Sequence, residues 1–503
     1  MADAKREIER KYESDESGLP DLTRVAGVAH VLDVGVVELD ATYYDTADER
    51  LAAHSVTLRR RTGGNDAGWH LKLPVGPDER EEISAPLSAH VPRTLAALTR
   101  SRIRDAALVP VVRLRSARDL RHLVDADGKL LAEVSVDTVT AERLTGDGGT
   151  AQWTEIEAEL AEGTDPGFLD KVDKRLRKAG VRPSAAPSKL ARALADTAPP
   201  GEGPAERPEA PAEPVTAGDH VLAYVRAQRD AIVALDPAVR RDEFDSVHRM
   251  RVATRRMRST FRSFGRILDR TVTDPVADEL KWLAAELGVD RDGEVLTERI
   301  TTSLGELPHT LVSGPVRTRL RTWANGRRGG SRRRLTGVLD SERYLTLLDT
   351  LDALVTDPPL LSAAAGKPQK AIAKAVDKGF AKVSALIEQA IDLPPGHDRD
   401  VAMHEARKKS KRTRYAAEAA TPALGDPAAA LTKAMKSLQN LLGEHQDSVM
   451  AREALLELSA EAHAARENTF TFGVLYGREE QRAAAVESEL PGAWQEAGSQ
   501  GPL

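Results

Sequence analysis

The stretch "MHEARKKSKRTRY", residues 403–415, places six cations and a histidine within thirteen positions. Its residue types favour helix, yet like charges three or four apart on a helix repel, at roughly 0.2–0.5 kcal/mol per pair. The segment has a near copy upstream. "VHRMRVATRRMR" (247–258) and "MHEARKKSKRTR" (403–414) share the spacing H-x2-R-x3-[RK]-R-x-R, offset by 156 residues. "LGVDRD" (287–292) and "LGEHQD" (442–447) follow at an offset of 155, pairing Gly288 with Gly443 and Asp292 with Asp447. Two motifs repeated in the same order predict a duplicated helical unit.

At about 100° per residue, His248, Arg251, Arg255 and Arg258 fall within an arc of roughly 80°. His404, Arg407, Lys411 and Arg414 do the same, while Arg256 and Arg412 point elsewhere. A third row, Lys370, Lys374, Lys378 and Lys382, recurs at spacing four in "KAIAKAVDKGFAK". An ordinary charged helix face dilutes such repulsion with Glu one turn away; these rows have little of it. The repulsion is tolerable where an anion completes the site. A row of cations matches a row of phosphates, Arg through forked hydrogen bonds and Lys as a point charge. Strand-binding proteins usually add aromatic platforms for bases, and aromatics are only 4% here. That argues against nucleic acid and for a base-free phosphate chain.

These paired segments resemble the CHAD family, the conserved histidine α-helical domain, over about 218–490. The resemblance implies a helical module that binds inorganic polyphosphate. It assigns ligand contacts to His248, Arg251, Arg255, Arg258, His404, Arg407, Lys411 and Arg414. Lys370, Lys374 and Lys378 are read with them.

The first two hundred residues have a different texture: short runs of period two, separated by turns such as "TGGNDAG" and "DADGK". Glu7, Glu9 and Lys11 share one face of "EIERK"; Arg59 and Arg61 share one of "TLRRR". In "WHLKL", His70 and Lys72 oppose the apolar residues, and in "VVRLR" Arg113 and Arg115 oppose Val112 and Leu114. Glu133 and Asp137 oppose Val134 and Val136; Glu155, Glu157 and Glu159 oppose Ile156 and Leu160. Charges are sorted by strand, acidic near 7, 133 and 155, basic near 59, 70 and 113. A solvated sheet face is the simpler reading of any one strand. Six such strands together predict a closed barrel with a charged lumen, its apolar exterior covered by helices such as 165–180. Carboxylates there suit a hard divalent cation, and the basic strands suit a phosphate chain. Phosphoanhydride hydrolysis needs little else, because its catalysis is mostly positioning and charge stabilisation.

The E-x-E-x-K element, "TYYDTADERL" (42–51), "LRRR" (58–61), "WHLKL" (69–73), "REEIS" (80–84), "TEIEAEL" (154–160) and "PSKL" (187–190) resemble, in order, the CYTH family of triphosphate tunnel metalloenzymes over about 5–195. The resemblance implies an eight-stranded tunnel that hydrolyses triphosphate-containing substrates with Mg2+ or Mn2+. It makes Glu7, Glu9, Glu155 and Glu157 metal ligands, with Glu133 and Asp137 nearby. It makes Lys11, Arg59, Arg61, Lys72, Arg113, Arg115 and Lys189 phosphate binders. Glu9, Glu157 and Lys11 carry the catalytic expectation. The family's strand-five glutamate falls at Glu82, with Glu81 adjacent. His70 stands where the family often has Thr.

The remaining composition sets bounds. The chain has 503 residues, too many for one core. It lacks cysteine, which excludes disulfides, zinc-thiolate and iron–sulfur sites and cysteine nucleophiles. The net charge of −6 confines any polyanion site to a local patch. No run of about 18 apolar residues predicts a membrane span, and "MADAKREIERKYE" lacks the apolar centre of a signal peptide. The expected compartment is the cytoplasm, with association to polyphosphate granules a further expectation. "TAPPGEGPAERPEAPAEPVTA" (197–217) reads as an extended linker. The expected architecture is α+β and multidomain. It comprises an eight-stranded antiparallel tunnel with flanking helices (1–196), the linker, and an all-α domain (218–503) of two repeats, about 218–355 and 365–490. The leading functional expectation is a metal-dependent triphosphatase, favouring inorganic triphosphate, joined to a polyphosphate-binding module. A non-catalytic polyphosphate-binding protein and a thiamine-triphosphatase or adenylate-cyclase activity are the alternatives.

Overall fold

A computed structural model of the protein describes residues 3–14, 18–64, 66–199, 213–288, 291–327, 331–499 and 503, without the side chains of 291, 292, 294, 326, 327, 331 and 332. Most of the expected linker, and the Asp292 side chain, therefore lie outside the described residues. The chain divides into two compact units, Met1–Ala210 and Pro211–Leu503.

Unit one is an antiparallel barrel of β1 (Asp3–Glu13), β2 (His30–Asp45), β3 (Thr57–Thr62), β4 (Gly68–Pro74), β5 (Glu79–Ala85), β6 (Val109–Val124), β7 (Leu130–Arg143) and β8 (Thr150–Leu160). The order β1-β5-β4-β3-β2-β6-β7-β8 closes on itself, which leaves no unpaired strand edge. Its helices are α1 (Arg50–Ala53), α2 (Arg93–Ile103), α3 (Gly167–Lys178) and α4 (Lys189–Asp196). Period two decides which side each strand buries. On β7 and β8, Ala132, Val134, Ile156 and Ala158 turn outward into a cluster with Phe168, Leu169, Val172 and Leu176 of α3. On β3 to β5, Leu58, Trp69, Leu71 and Ile83 pack against Leu95 and Leu98 of α2. The intervening charged residues are thereby forced into the lumen. The helical cover expected near 165–180 is α3.

Unit two is all helical: α5 (Ala217–Arg240), α6 (Ser246–Ser263), α7 (Arg270–Glu286), α8 (Arg291–Gly305), α9 (Val316–Arg327), α10 (Ser331–Leu339), α11 (Glu342–Thr356), α12 (Pro368–Asp392), α13 (His397–Leu424), α14 (Asp426–Ala464) and α15 (Phe470–Gly498). Thr216 and Asp219 form a reciprocal capping box that starts α5. Asp398 and Asp400 lie in the first turn of α13, where the helix dipole favours them. The largest core joins α5–α7 with α11–α13 and the first half of α14. A second core sets Ile300, Leu304, Leu320 and Trp323 of α8 and α9 against Leu455, Leu458, Phe472 and Leu475 of α14 and α15. Helices from the first half of the unit thus complete a core with helices of the second half, so packing does not follow the repeat boundary. The apolar faces of α8 and α9 find their cover on the long α14, which outruns its own neighbours.

Candidate active site and anion-binding surface

The barrel encloses a cavity of about 450 Å3 whose lining includes Glu7, Glu9, Lys11, Arg59, Arg61, Lys72, Arg118 and Glu157. One wall is acidic. Asp137, Glu155 and Glu157 each present a carboxylate oxygen, all within 4.8 Å of one another. Glu155 has its second oxygen fixed by Trp153 Nε1 at 2.6 Å. Lys189, the first residue of α4, reaches into this group: its Nζ lies 2.8 Å from Asp137 Oδ2, 2.7 Å from Glu155 Oε1 and 2.6 Å from Glu157 Oε1. It forms an ion pair with all three, and Lys189, Asp137 and Glu155 are buried. Three buried carboxylate oxygens gathered round a compact cation fit a hard divalent ion.

The opposite wall is basic. Arg59, Arg61 and Lys72 come from β3 and β4, whose facing registers are Arg59 with His70 and Thr57 with Lys72. Lys72 Nζ meets Glu7 Oε2 at 2.5 Å and Glu82 Oε2 at 3.2 Å. Lys11 Nζ lies 3.0 Å from Glu9 Oε1 and also pairs with Glu157, so β1 bridges the two walls. His70 Nδ1 contacts Glu82 Oε1 at 2.8 Å and its Nε2 contacts the Asp66 carbonyl at 2.9 Å. His70 therefore braces Glu82. Glu82, and not Glu81, lines the lumen.

The ionisation of these groups follows their neighbours. Burial works to raise the Glu9 carboxyl, but Lys11 and Lys72 outweigh it and hold it at about 2. Burial likewise opposes ionisation of Glu157, and Lys11, Lys189 and Arg118 overcome it, holding the carboxyl well below its usual range. Asp137 is lowered against burial by Lys189 and Arg118. Glu7 is raised, because Lys72 only partly offsets its burial. Burial and the adjacent Arg59 bring Arg61 down to about 9. Burial lowers His70, against the pull of its hydrogen bond with Glu82.

Two expected phosphate binders lie elsewhere. Arg113 bonds Asp40 through Nε at 2.9 Å and Arg115 lies 3.9 Å from the same carboxylate, with side chains 39% and 59% exposed. Neither lines the lumen. The apolar face of β6, assumed to point outward, points inward at this end: Val112 and Leu114 pack on Leu190 and Ala193 of α4. The same strand face then supplies Arg118, four residues beyond Leu114. Arg118 donates to Asp137 Oδ1 at 2.8 Å and Oδ2 at 2.6 Å, and to Glu157 Oε2 at 2.7 Å. Sequence reading missed Arg118; its signal was shared parity with Leu114. Arg80, also missed, lies 3.7 Å from Glu9 and shares parity with Glu82. Glu133 lines the cavity but is 41% exposed and faces His122 Nε2 at 3.1 Å, apart from the other carboxylates.

In unit two the histidine rows of α6 and α13 converge. Lys411 has Arg407, Arg255 and Arg414 around it; burial and these cations lower its ammonium to about 7. Arg258 lies among Arg262, Arg255 and Arg412 and is lowered by burial and their charge. The paired glycines both lie against arginines of these rows. A Cβ on Gly288 would meet Arg251 Nη2 at 2.9 Å, and one on Gly443 would meet Arg407 Nε at 3.6 Å. In each repeat the arginine thus runs over the glycine of the LG segment. His404 Nδ1 meets Gln446 Oε1, whereas His248 is exposed. Arg414 stacks over Tyr415, 4.5 Å from the ring centre. Arg256 pairs with Glu418 at 2.6 Å and lies 5.8 Å from the centre of the same Tyr415 ring. Lys370, Lys374, Lys378 and Lys382 line a separate cleft of about 900 Å3 with Arg262, Lys409 and Arg412. Arg412, set aside on the helical wheel, belongs to that cleft.

A CYTH domain matches residues 5–193 and a CHAD domain matches residues 223–456. The chain belongs to these two families, in that order. CYTH domains are metal-dependent triphosphate-tunnel enzymes. Two relatives from Mycobacterium tuberculosis, Uncharacterized protein MT2285 (strain CDC 1551 / Oshkosh) and Uncharacterized protein Rv2226 (strain ATCC 25618 / H37Rv), are each 40% identical over 506 residues, covering 97% of this chain and 95% of theirs. Among solved structures, PptA from Streptomyces chartreusis aligns with TM-score 0.48 and 20% identity over 56% of this chain and 100% of its own. The CHAD domain from the plant Ricinus communis aligns with TM-score 0.43 and 23% identity over 57% of this chain and 92% of its own. Among the described residues no helix is long and apolar enough to cross a membrane.

Proposed function

We propose that unit one hydrolyses a triphosphate-type substrate, inorganic triphosphate before others, with Mg2+ or Mn2+, and that unit two binds inorganic polyphosphate. The observation that carries the first part is one lumen with Asp137, Glu155 and Glu157 on one wall and Arg59, Arg61 and Lys72 on the other. Asp137, Glu155 and Glu157 would hold the cation, which neutralises phosphate oxygens and polarises water when bound. Arg59, Arg61 and Lys72 bind and orient the phosphate chain, and Arg118 keeps Asp137 and Glu157 aligned. Among the described residues the lining holds Tyr43 and His122 and no Phe or Trp, which offers a nucleobase or thiazole ring little to stack on and favours a base-free substrate over ATP or thiamine triphosphate. The second part rests on the convergence of Arg255, Arg407, Lys411 and Arg414. Phosphate release by the purified chain from triphosphate, polyphosphate, ATP and thiamine triphosphate, with Mg2+ or Mn2+, tests the reading. Fastest release from triphosphate supports it; no release from any of the four overturns it and leaves a binding protein.

A further inference from the structure

The cleft of about 900 Å3 between α6, α12 and α13 differs in chemistry from the histidine rows. One end is charged and gathers Arg262, Lys382, Lys409 and Arg412. Burial, Arg412 and Lys382 lower the Lys409 ammonium, burial and Arg262 lower Arg412, and Glu405 offsets only part of this. Among the described residues none of these four cations has an ion-pair partner, and no acidic side chain lines the cleft. From Lys382, α12 carries Lys378, Lys374 and Lys370 along one edge for about 18 Å at the helical rise.

The floor is apolar. It is made by Ala371 and Ala375 of α12, Ala416 of α13 and Ile267 beyond the end of α6. Ala416 and Ile267 are buried, and the two α12 alanines half-buried. The far end is closed by Ala363 and Gly366, with Arg266 and Lys367 exposed at its rim. A bare phosphate chain wants donors along its whole length and gains nothing from alanine and isoleucine. An open apolar floor in a cleft of this size suits a ligand with apolar surface to bury.

We propose that this cleft binds a single-chain amphiphile ending in phosphate or diphosphate. Its head would lie among Arg262, Lys382, Lys409 and Arg412, and its hydrocarbon chain on Ala375, Ala371, Ala416 and Ile267. The head relieves the mutual repulsion of the four cations, the arginines through forked hydrogen bonds and the lysines as point charges. The chain covers the floor, while the stems of Lys370, Lys374 and Lys378 lie beside it and keep their ammonium groups in water. The charged end adjoins the histidine rows, since Arg258 is lowered by both Arg262 and Arg412. The inference rests neither on polyphosphate binding by those rows nor on hydrolysis in the tunnel.

The test is titration calorimetry of the full-length protein with farnesyl diphosphate and with inorganic diphosphate, in chelator to silence metal-dependent turnover. Farnesyl diphosphate is expected to bind at least about tenfold tighter than diphosphate, because burying two methylene groups is already worth that much. Ala375→Gln fills the floor with a polar side chain that suits a helix; it should erase the gain and leave diphosphate binding unchanged. Lys409→Ala/Arg412→Ala should weaken farnesyl diphosphate by about tenfold or more. Arg407→Ala/Lys411→Ala, which alters the rows alone, should leave it within about twofold. If the Lys409/Arg412 variant does not fold by far-ultraviolet circular dichroism, Lys382→Ala, at an exposed position, reads the same loss. Equal binding of farnesyl diphosphate and diphosphate overturns the proposal, as does farnesyl diphosphate binding that neither cleft variant changes. Binding that ignores the hydrocarbon chain and is displaced by long-chain polyphosphate also overturns it, and makes the cleft one more cation row for a bare phosphate chain.

Discussion

Lys189 Nζ stands 2.6 Å from Glu157 Oε1 in the acidic wall of the tunnel, at the first turn of α4, which Ser188 caps. An ammonium among three buried carboxylates offsets charge that would otherwise oppose folding. Removing one partner of such a buried group costs about 3–5 kcal/mol. Lys189→Met is therefore expected to lower the melting temperature of chelated protein, and Mg2+ or Mn2+ is expected to restore more of it than they add to wild type. Thermal melts with and without metal check this. Equal metal effects on both proteins would leave Lys189 as an anchor for α4 alone.

Glu9→Gln is expected to abolish turnover while leaving triphosphate bound through Arg59, Arg61 and Lys72. The variant also alters acid stability. In wild type the Glu9 carboxyl sits near 2, against an ordinary value of 4.5. Its stabilising contribution is then complete above pH 4.5 and lost as pH falls toward 2. The variant should lack that part of the acid transition. Phosphate release near the wild-type rate would refute the metal-ligand and catalytic role that the family resemblance gives Glu9.

The inverted face of β6 separates neighbouring arginines. Arg113→Ala and Arg115→Ala should leave hydrolysis within about twofold of wild type, since both side chains lie outside the lumen. Arg118→Ala should lower turnover by about tenfold or more by freeing Asp137 and Glu157. Steady-state rates of the three variants decide it, and a loss at Arg113 comparable to that at Arg118 would reverse the assignment.

Polyphosphate binding to unit two should weaken linearly with log salt as counterions are displaced. Arg407→Ala/Lys411→Ala should flatten that slope by about one to two units, taking nucleic-acid behaviour as the guide. The ligand-free variant should be as stable as wild type or slightly more so, by a few tenths of a kcal/mol, because like-charge repulsion is removed. A variant that melts much lower without ligand, with polyphosphate stabilising both proteins equally, would make these residues structural.

Lys411 adds a proton to the same equilibrium. Its folded value of about 7 lies below the ordinary 10.5. Between those values the unfolded chain holds more protons, so ligand-free stability should rise with pH there. A phosphate chain restores the charged form, so binding at pH 7.5–8 should take up protons. Binding enthalpies in buffers of different ionisation heat measure the uptake, and Lys411→Met should abolish it. Uptake undiminished in that variant would place the proton elsewhere.

Much of this was legible in the chain. Strand alternation alone put Glu9, Lys11, Arg59, Lys72, Glu155 and Glu157 on lumen faces, because a residue's side of a strand depends only on its parity. Helical spacing gathered His404, Arg407, Lys411 and Arg414 for the same kind of local reason. What parity does not state is which face of a strand meets the inside of a closed barrel. On β6 the answer came from α4, which covers Leu114 from within and so turns Arg118 inward and Arg113 outward. The pairing of α8 and α9 with α14 and α15 and the cleft that joins Arg412 to the lysines of α12 both bring together residues from different helices. Local sequence periodicity fixes a residue's direction about its own element. Only the packing of elements against one another decides what that residue meets.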